Sequence, residues 1–348
     1  MSDFKYFPTI KTRDAELKCF SKLEPNVLRQ VLPIYELTKS RKTNKTPDGD
    51  IHRRMKQIKE IQGELPFILD LCTSEKYINP QIEQLIDEYE GFYDWRYFLN
   101  LYSDMNIIPM VHLYEDEQMT FAEVTKFVIE MSGVKTHLAV RIPYNLDEDD
   151  IRNYLAPIAN NLQNGCTLFV LLDADHIRNK DTQELADSFE IAFNEVMCFG
   201  DRIEDVVMLC SSFPRSPADY GEDHLGEFTI LEEQLFQNLK QRVPIKYGDY
   251  ASINTEQIEM KGGTFVPRID VSLADKFIYK RYRRNEGSYP KCAQQMELDT
   301  RYIKIGCWAD DEITLANNNK PSGISPSFWI AVRMNYYVTS RVTLRAQD

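Results

Sequence analysis

Short apolar runs separated by longer mixed stretches set the pattern of the first 250 residues. Eight runs of five to seven residues are rich in aliphatic, β-branched and aromatic side chains, and nearly all of them end in a charged or polar residue. Apolar runs of this length predict buried strands. The runs cover residues 6–10, 32–37, 66–71, 107–113, 136–142, 167–173, 205–211 and 244–250.

The stretches between these runs carry helical periodicity and predict repeated strand–helix units with a parallel sheet. Eight such units are the number found in a closed (β/α)8 barrel, so the sequence predicts an α/β, TIM-like barrel. A doubly wound open sheet is the competing architecture, although it usually has fewer strands and a glycine-rich first turn. The predicted helices cover residues 50–61, 81–89, 120–131, 147–162, 181–199 and 227–242.

The chain has 348 residues, whereas a barrel of this kind takes about 250. We therefore expect a TIM-like barrel over residues 1–254 and a small mixed α+β C-terminal extension, packed on the barrel, over residues 255–348. Within the extension, β-like patterns cover residues 264–271, 277–283, 324–332 and 336–344, and a helical pattern covers residues 292–303.

Composition argues against several classes of protein and of binding site. No stretch approaches about 20 consecutive apolar residues, which predicts no membrane span. The net charge of −13 opposes non-specific binding to nucleic acid or to anionic membranes. The seven cysteines form no CxxC pair, which favours reduced thiols and a cytoplasmic location over a disulfide framework or a zinc knuckle.

The polar residues that close the runs are the first candidate site. Because residues two apart share a face of a strand, these residues are expected to point inward at the carboxyl ends of the strands, where barrel active sites lie. Crowded carboxylates raise one another's pKa or bind a divalent cation, so either chemistry is open; a salt-bridge network that only plugs the barrel is the alternative. The candidate catalytic residues are Glu36, Asp70, His112, Asp173 and Asp249, and the candidate ligand-binding residues are Lys11, Arg141 and Tyr247.

Two further motifs bear on ligands. The Asp-x-Asp pair Asp173 and Asp175 has the spacing of a weak Mg²⁺ motif and makes Mg²⁺ the candidate cofactor. The segment 38–60 is rich in Lys and Arg, including Arg53 and Arg54, and follows the second predicted strand. A basic loop over the mouth of a barrel suits an anionic ligand such as a nucleotide or nucleic acid, although a solvated loop has the same composition.

Residues 276–284 alternate aromatic and basic side chains, as in a platform for single-stranded nucleic acid. Edge strands use Lys and Arg in the same way to prevent aggregation, and the acidic net charge favours that interpretation. The sequence contains no GxGxxG, GxxxxGK[ST], HExxH or GxSxG motif.

The opening of the chain resembles the beta family of proteins, which occurs in bacterial genomes and prophages. The resemblance rests on residues 6–11, Glu16 and residues 31–37, and continues through 67–70, 108–111, 171–173 and 248–250. Family members tend to end in a Trp-containing strand followed by an Asn/His pair, whereas here Trp329 is followed by Asn335 and Tyr336. The resemblance implies a phage-linked or antiviral defence role.

Three functional hypotheses follow. The first is an enzyme, a metal-assisted hydrolase that acts on a phosphate ester at the barrel mouth. The second is a non-enzymatic module that senses a nucleotide or a phage component. The third is a structural component that binds a protein partner or forms a homo-oligomer through the C-terminal extension.

Overall fold

The strands alternate with helices along most of the chain, as the pattern of apolar runs predicts. The computed structural model describes residues 3–163, 165–256 and 265–347. Its strands are β1 Phe7–Lys11, β2 Ile34–Leu37, β3 Phe67–Leu71, β4 Ile107–Val111, β5 His137–Pro143, β6 Thr167–His176, β7 Ile203–Ser211, β8 Leu225–Thr229, β9 Lys246–Asp249, β10 Arg268–Ser272 and β11 Lys276–Arg281.

Helices follow the barrel strands and continue into the C-terminal part. They are α1 Asp14–Phe20, α2 Pro25–Leu28, α3 Ile51–Gln62, α4 Pro80–Ile86, α5 Tyr89–Leu101, α6 Ala122–Ser132, α7 Glu148–Ala159, α8 Thr182–Met197, α9 Leu231–Leu239, α10 Ser288–Glu297, α11 Trp308–Asn317 and α12 Pro326–Arg345. None of the helices in the described ranges is long and apolar enough to cross a membrane.

Eight parallel strands close into a barrel in the order β1, β2, β3, β4, β5, β6, β7 and β9. The closed barrel confirms the predicted (β/α)8 class and excludes the open sheet. Strand β9 completes the ring because Gly248 lies in register with Leu209 of β7 and with Phe7 of β1. The interior is filled by apolar side chains from alternate strand positions, including Phe7, Ile68, Phe169 and Leu171.

Two C-terminal strands, β10 and β11, join β8 in a three-stranded antiparallel sheet with the order β10, β11, β8. Strands β10 and β11 overlap the predicted β-like runs 264–271 and 277–283, although residues 265–267 and 282–283 are not strand and residue 264 lies outside the described residues. Strand β8 was not predicted; residues 227–229 were expected to begin a helix, but they pair with β11 instead, and α9 begins at Leu231. Division into domains at residues 254 and 255 stays a prediction.

The prediction of two strands near the C-terminus is wrong, since residues 326–345 form one helix, α12. This helix packs against α1, and its Arg341 pairs with Glu233 of α9. It therefore occupies the place of the eighth barrel helix. Because α12 is buried on most sides, its apolar residues do not form the single stripe that marks a surface helix. Helix α5, also missing from the prediction, follows α4 closely.

We predict that Gly248→Ala destabilises the barrel by about 1–3 kcal/mol through overpacking. A Cβ atom at this position would lie 2.5 Å from Leu209 Cδ2 and 2.7 Å from the backbone oxygen of Phe7, so the closing strands must move. Chemical denaturation followed by circular dichroism measures the effect. Gly133→Ala is the control, because its Cβ atom would meet nothing closer than 3.4 Å. Equal stability of the two variants would contradict the closure geometry.

Candidate functional site

Five strand ends bring charged side chains together at the carboxyl end of the barrel. Lys11, Glu36 and Asp70 lie in register on β1, β2 and β3, and Arg141 and Asp173 lie near the ends of β5 and β6. Their strand positions alternate with residues that pack against the helices, so these side chains point into the barrel above its apolar interior. Together with Tyr250, we refer to them as the mouth cluster: Lys11, Glu36, Asp70, Arg141, Asp173 and Tyr250.

Arg141 lies at the centre of the mouth cluster. Its guanidinium donates to Glu36 Oε1 at 2.8 Å, and Nη2 lies 2.9 Å from Asp70 Oδ2. The contact with Asp70 is an ion pair without the geometry of a hydrogen bond, since none of the described residues donates a hydrogen bond to Asp70 Oδ2. A third carboxylate oxygen, Asp173 Oδ2, lies 3.9 Å from Nη1. One cation thus links strands β2, β3, β5 and β6.

Two further side chains complete the cluster. Lys11 Nζ donates to Glu36 Oε2 at 2.5 Å. Tyr250 Oη donates to Asp173 Oδ2 at 2.6 Å. Tyr250 was not among the predicted site residues, although it closes the last apolar run directly after Asp249. In the sequence, Tyr250 is one more aromatic residue of the apolar run. Nothing in the pattern predicts that its hydroxyl contacts a carboxylate at the mouth.

The cations of the cluster are more exposed than the carboxylates that hold them. The exposed fraction is 27% for the Lys11 side chain and 21% for Arg141, against 7% for Glu36 and 4% for Asp70. Asp173 is intermediate at 18%. The two best-buried carboxylates therefore lie beneath the cations and orient them, while the positive groups face the opening. This arrangement suits recognition of an anion.

The three carboxyl groups differ in acidity. Burial opposes ionisation of Glu36, but Arg141 and Lys11 outweigh it and lower the pKa of this carboxyl to about 2. Burial raises the pKa of Asp70, and the charge of Glu36 adds to this rise, while Arg141 and, less strongly, Lys11 offset it only in part. Burial likewise raises the pKa of Asp173. Pairs of carboxyl groups with opposite shifts are the pattern of acid–base sites.

His112 lies beyond the end of β4, beside the rings of Phe92 and Trp95 at centroid distances of 6.1 and 5.6 Å. Burial, with the charge of Arg141 as a second cause, lowers its pKa to about 4. Its buried Nε2 forms no hydrogen bond with the part of the chain that the structure describes. The imidazole is therefore neutral at physiological pH and adjoins the cluster from the side of α5.

The expectation that Asp249 and Tyr247 share the mouth is wrong. Gly248 takes the inward position on β9, so its two neighbours point outward toward α12. Asp249 accepts hydrogen bonds from Tyr247 at 2.8 Å and Tyr337 at 2.6 Å, and a third from Tyr6. The short strand has no apolar alternation that would reveal its inward face. No catalytic or ligand-binding role at the mouth fits either residue.

Arg53 and Arg54 do not enter the mouth cluster. Both lie in the first turn of α3, on the outside of the barrel strands. Arg53 is exposed, whereas Arg54 is buried and pairs with Asp14 at 2.8 Å. The guanidinium of Arg54 therefore fixes α3 to α1.

The predicted metal motif is divided between two environments. Asp173 is engaged by Tyr250, by Arg141 and by the backbone N–H of Asp175 at 2.9 Å, while Asp175 is exposed in a left-handed conformation with φ of 50°. Across residues 3–163, 165–256 and 265–347, no group of three or more His, Cys, Asp or Glu side chains is arranged to hold a metal ion. A metal role for Asp173 and Asp175 stays a prediction.

Carboxylates neutralise most of the alternating segment 276–284. Four of its five basic side chains pair with carboxylates of neighbouring elements, which fits the edge-strand interpretation better than a nucleic-acid platform. The pairs are Lys276 with Glu227, Lys280 with Asp299, and Arg281 and Arg283 with Asp223.

Comparison with known proteins extends the resemblance of the opening strands to nearly the whole chain. The Beta protein family model matches residues 6–343. The chain is similar to Protein beta of Enterobacteria phage P4, with 25% identity over 349 residues that cover 98% of this chain and 94% of the phage protein. No solved structure matches the chain. The predicted family relationship is confirmed.

We predict that Glu36→Gln lowers the free energy of unfolding at pH 7 by about 3 kcal/mol, since a pKa difference of one unit corresponds to about 1.4 kcal/mol. The lowered pKa of Glu36 means that its contribution is present above pH about 4.5 and is lost as the pH falls toward 2. The difference between wild type and variant should therefore shrink between pH 5 and pH 3 in urea unfolding. The exposed Glu24→Gln is the control, and a pH-independent difference would refute the assignment.

A second prediction concerns the pKa of Glu232, a buried residue near Asp249 on the outer side of β9. Its carboxylate accepts from the backbone N–H of Ser212 at 3.0 Å, and burial, with the charge of Asp249 as a second cause, raises its pKa to about 7. The unfolded chain ionises this group above about pH 4.5, so stability falls between that pH and 7.

We predict that Glu232→Gln removes this loss. The variant should become more stable than wild type by about 2–3 kcal/mol as the pH rises from 5 to 8, because an amide oxygen still accepts from Ser212. Urea unfolding at the two pH values measures it, with the exposed Glu64→Gln as control. Parallel stability curves for wild type and Glu232→Gln would exclude a raised pKa.

Proposed function

The chain belongs to the Beta protein family, and on that premise we propose that its barrel mouth binds a phosphate-bearing ligand, a nucleotide or a nucleic acid. The relative from phage P4 supports a role linked to phages or other mobile elements, which we extend to antiviral defence in the cytoplasm. The observation that carries the ligand proposal is the exposure of Arg141 and Lys11 above the buried carboxylates Glu36 and Asp70.

Arg141 and Lys11 have complementary chemistry for phosphate. A guanidinium offers a planar fork of N–H donors, and an ammonium offers a compact charge with rotatable donors. Arg141 keeps Glu36 at 2.8 Å and Asp70 at 2.9 Å, while its contact with Asp173 is longer, at 3.9 Å. A phosphate oxygen that approaches from the opening therefore competes mainly with Asp173, and the loss of that weak contact costs little.

The same cluster supports hydrolysis of a phosphate ester. The raised pKa values of Asp70 and Asp173 suit groups that take up and release protons during a reaction. One carboxylate would take a proton from the attacking water, and a carboxylic acid or a second water would protonate the leaving ester oxygen. Because the described residues contain no cluster of three metal ligands, Mg²⁺ would enter with the phosphate oxygens and complete its coordination with water.

A non-enzymatic sensor is the second candidate function. The ion pairs of the mouth cluster satisfy one another without a ligand, as in a site that changes its contacts on binding rather than performing chemistry. Turnover of a bound phosphate ester separates the enzyme from the sensor. A protein partner or a homo-oligomer formed through the C-terminal residues stays a further prediction.

We predict that Arg141→Met loses most of the affinity for inorganic phosphate, pyrophosphate and nucleoside phosphates. Both Arg141→Met and Arg141→Ala remove the cation and leave buried carboxylates unpaired, which costs about 3–5 kcal/mol of stability. Arg141→Met is preferred because it keeps much of the side-chain volume and so avoids the additional cavity of Arg141→Ala. Calorimetric titration, with and without Mg²⁺, measures the affinity, and phosphate release measures turnover.

Two further variants supply an independent test of the phosphate site and a matched control. Lys11→Met removes the more exposed cation and should weaken binding even if Arg141→Met folds poorly. Arg152→Met is the matched control, because Arg152 pairs with Glu195 at 2.8 Å on the outer helices. Full phosphate affinity in a folded Arg141→Met or Lys11→Met protein, or no affinity in wild type, would overturn the proposed function.

A further inference from the structure

Two groups of neighbouring loops around the mouth carry opposite charge. The loops after β1, β2 and β3 are neighbours in the barrel, and we refer to residues 12–13, 38–50 and 72–79 as the basic sector. The sector contains six basic residues against three acidic ones. The basic residues are Arg13, Lys39, Arg41, Lys42, Lys45 and Lys76, and the acidic ones are Asp48, Asp50 and Glu75.

The loops after β4 and β5, residues 112–121 and 144–147, carry four acidic residues and no Lys or Arg. More acids follow in the first turn of α7. An anionic chain that approaches the mouth is therefore attracted on one side and repelled on the other. This local polarity coexists with a net charge of −13, which limits binding elsewhere on the surface.

Hydrogen bonds join the three loops of the basic sector into one surface. The Lys39 ammonium donates to the backbone oxygen of Ile78 at 2.7 Å, and the Lys39 N–H donates to the backbone oxygen of Tyr77 at 2.9 Å. Arg13 donates to Tyr77 Oη at 3.0 Å. Arg41, Lys42 and Lys45 are exposed and form no ion pair with the described residues. Arg41, Lys42 and Lys45 therefore lack the carboxylate partners that most cations of segment 276–284 have.

Tyr77 is the aromatic centre of the basic sector. Its ring centroid lies 5.3 Å from the Arg13 guanidinium carbon and 5.4 Å from Lys76 Nζ. Arg13 is held in place by the buried Glu16, whereas Lys76 is exposed. The Lys76 ammonium can therefore leave the ring for a phosphate and free the aromatic surface. A base stacked on an aromatic ring between cations is the chemistry of single-strand binding.

The mouth is closed below the charged cluster. Apolar side chains, among them Phe7, Ile34, Met110 and Phe169, fill the barrel interior. A chain that lies along the basic sector therefore cannot pass into the barrel, and a compact anionic group at its end suits the cations Arg141 and Lys11 at the closed mouth. A terminal phosphate has this chemistry.

We propose that the carboxyl face of the barrel binds single-stranded nucleic acid by a phosphorylated end, with the terminal phosphate on Arg141 and Lys11, the adjacent base on Tyr77 and the following phosphates on Arg41, Lys42 and Lys45. This inference rests on the proposed function of the mouth and specifies its ligand. A free nucleotide would use the mouth and at most Tyr77, and would leave the exposed cations of the β2 loop without a role. A rigid duplex end would keep its terminal base paired and in line with the helix, so the base could not turn toward Tyr77 while its phosphate lies on Arg141 and Lys11.

The test measures binding of the full chain to strands of about eight nucleotides, within the range of single-strand sites. DNA and RNA strands with a 5′-phosphate, a 3′-phosphate or neither are compared with the blunt duplex by fluorescence anisotropy. We expect at least one phosphorylated single strand to bind about tenfold or more tightly than its unphosphorylated form and than the duplex, as expected for a charge-assisted phosphate contact.

Variants separate the phosphate track from the stacking ring. Replacing Arg41, Lys42 and Lys45 together with Gln should reduce the slope of log affinity against log salt by about two, at about 0.7 per phosphate contact. The charge-matched control replaces Lys22, Arg29 and Lys320, which are exposed elsewhere, and should keep the slope. Tyr77→Leu should weaken binding about fivefold or more, while Tyr77→Phe and the exposed Tyr93→Leu should not.

The outcomes distinguish this inference from the proposed function. If phosphorylated and unphosphorylated strands bind equally, or the control triple variant loses as much slope as the basic-sector variant, the strand-end inference is overturned. If phosphate and mononucleotides bind in an Arg141-dependent way but strands bind no more tightly, the proposed function stands and this inference falls. If neither phosphate nor any strand binds, both fall.

Discussion

Compensation of buried charge around Arg141 is the interaction on which the functional end of this barrel depends. Three carboxylates from β2, β3 and β6 lie above an apolar interior, where unpaired ions are costly. The guanidinium from β5 compensates them together and thereby holds four strand ends in a common arrangement. Lys11 supplies the second cation, so Glu36 is ionised while Asp70 and Asp173 are harder to ionise. The same contacts thus fix the positions of the side chains at the mouth and set the direction of the pKa shifts of its carboxyl groups.

The same ion pairs decide which charge faces the opening. Short carboxylate side chains stay close to the strands, whereas the longer Lys11 and Arg141 reach over them and keep part of their surface exposed. The mouth therefore presents cations although its acids outnumber its bases. The basic sector continues this positive surface onto the loops after β1, β2 and β3, and the acidic loops after β4 and β5 border it. An anionic ligand is in this way attracted to one side of the face.

A second buried polar cluster supports the barrel where its ends meet. Asp249 of β9 accepts hydrogen bonds from tyrosines of the first strand region, of β9 itself and of α12. Helix α12 also pairs through Arg341 with Glu233 of α9 and packs on α1. Helix α12 therefore completes the helical ring around the barrel. Strands β10 and β11 of the small antiparallel sheet lie in the connection between β9 and α12, and β8 lies in the connection between β7 and α9.

The sequence by itself determined the eight barrel strands, their parallel order and the polar residues at their ends, because apolar runs and strand parity are local patterns. It identified Lys11, Glu36, Asp70, Arg141 and Asp173 as neighbours without any contact information. The tertiary structure alone decided the direction of Asp249 and Tyr247, because closure of the barrel places Gly248 inward against Phe7 and Leu209. It also decided that residues 326–345 are helical and that Tyr250 joins the mouth, since burial by distant elements, not local periodicity, sets both.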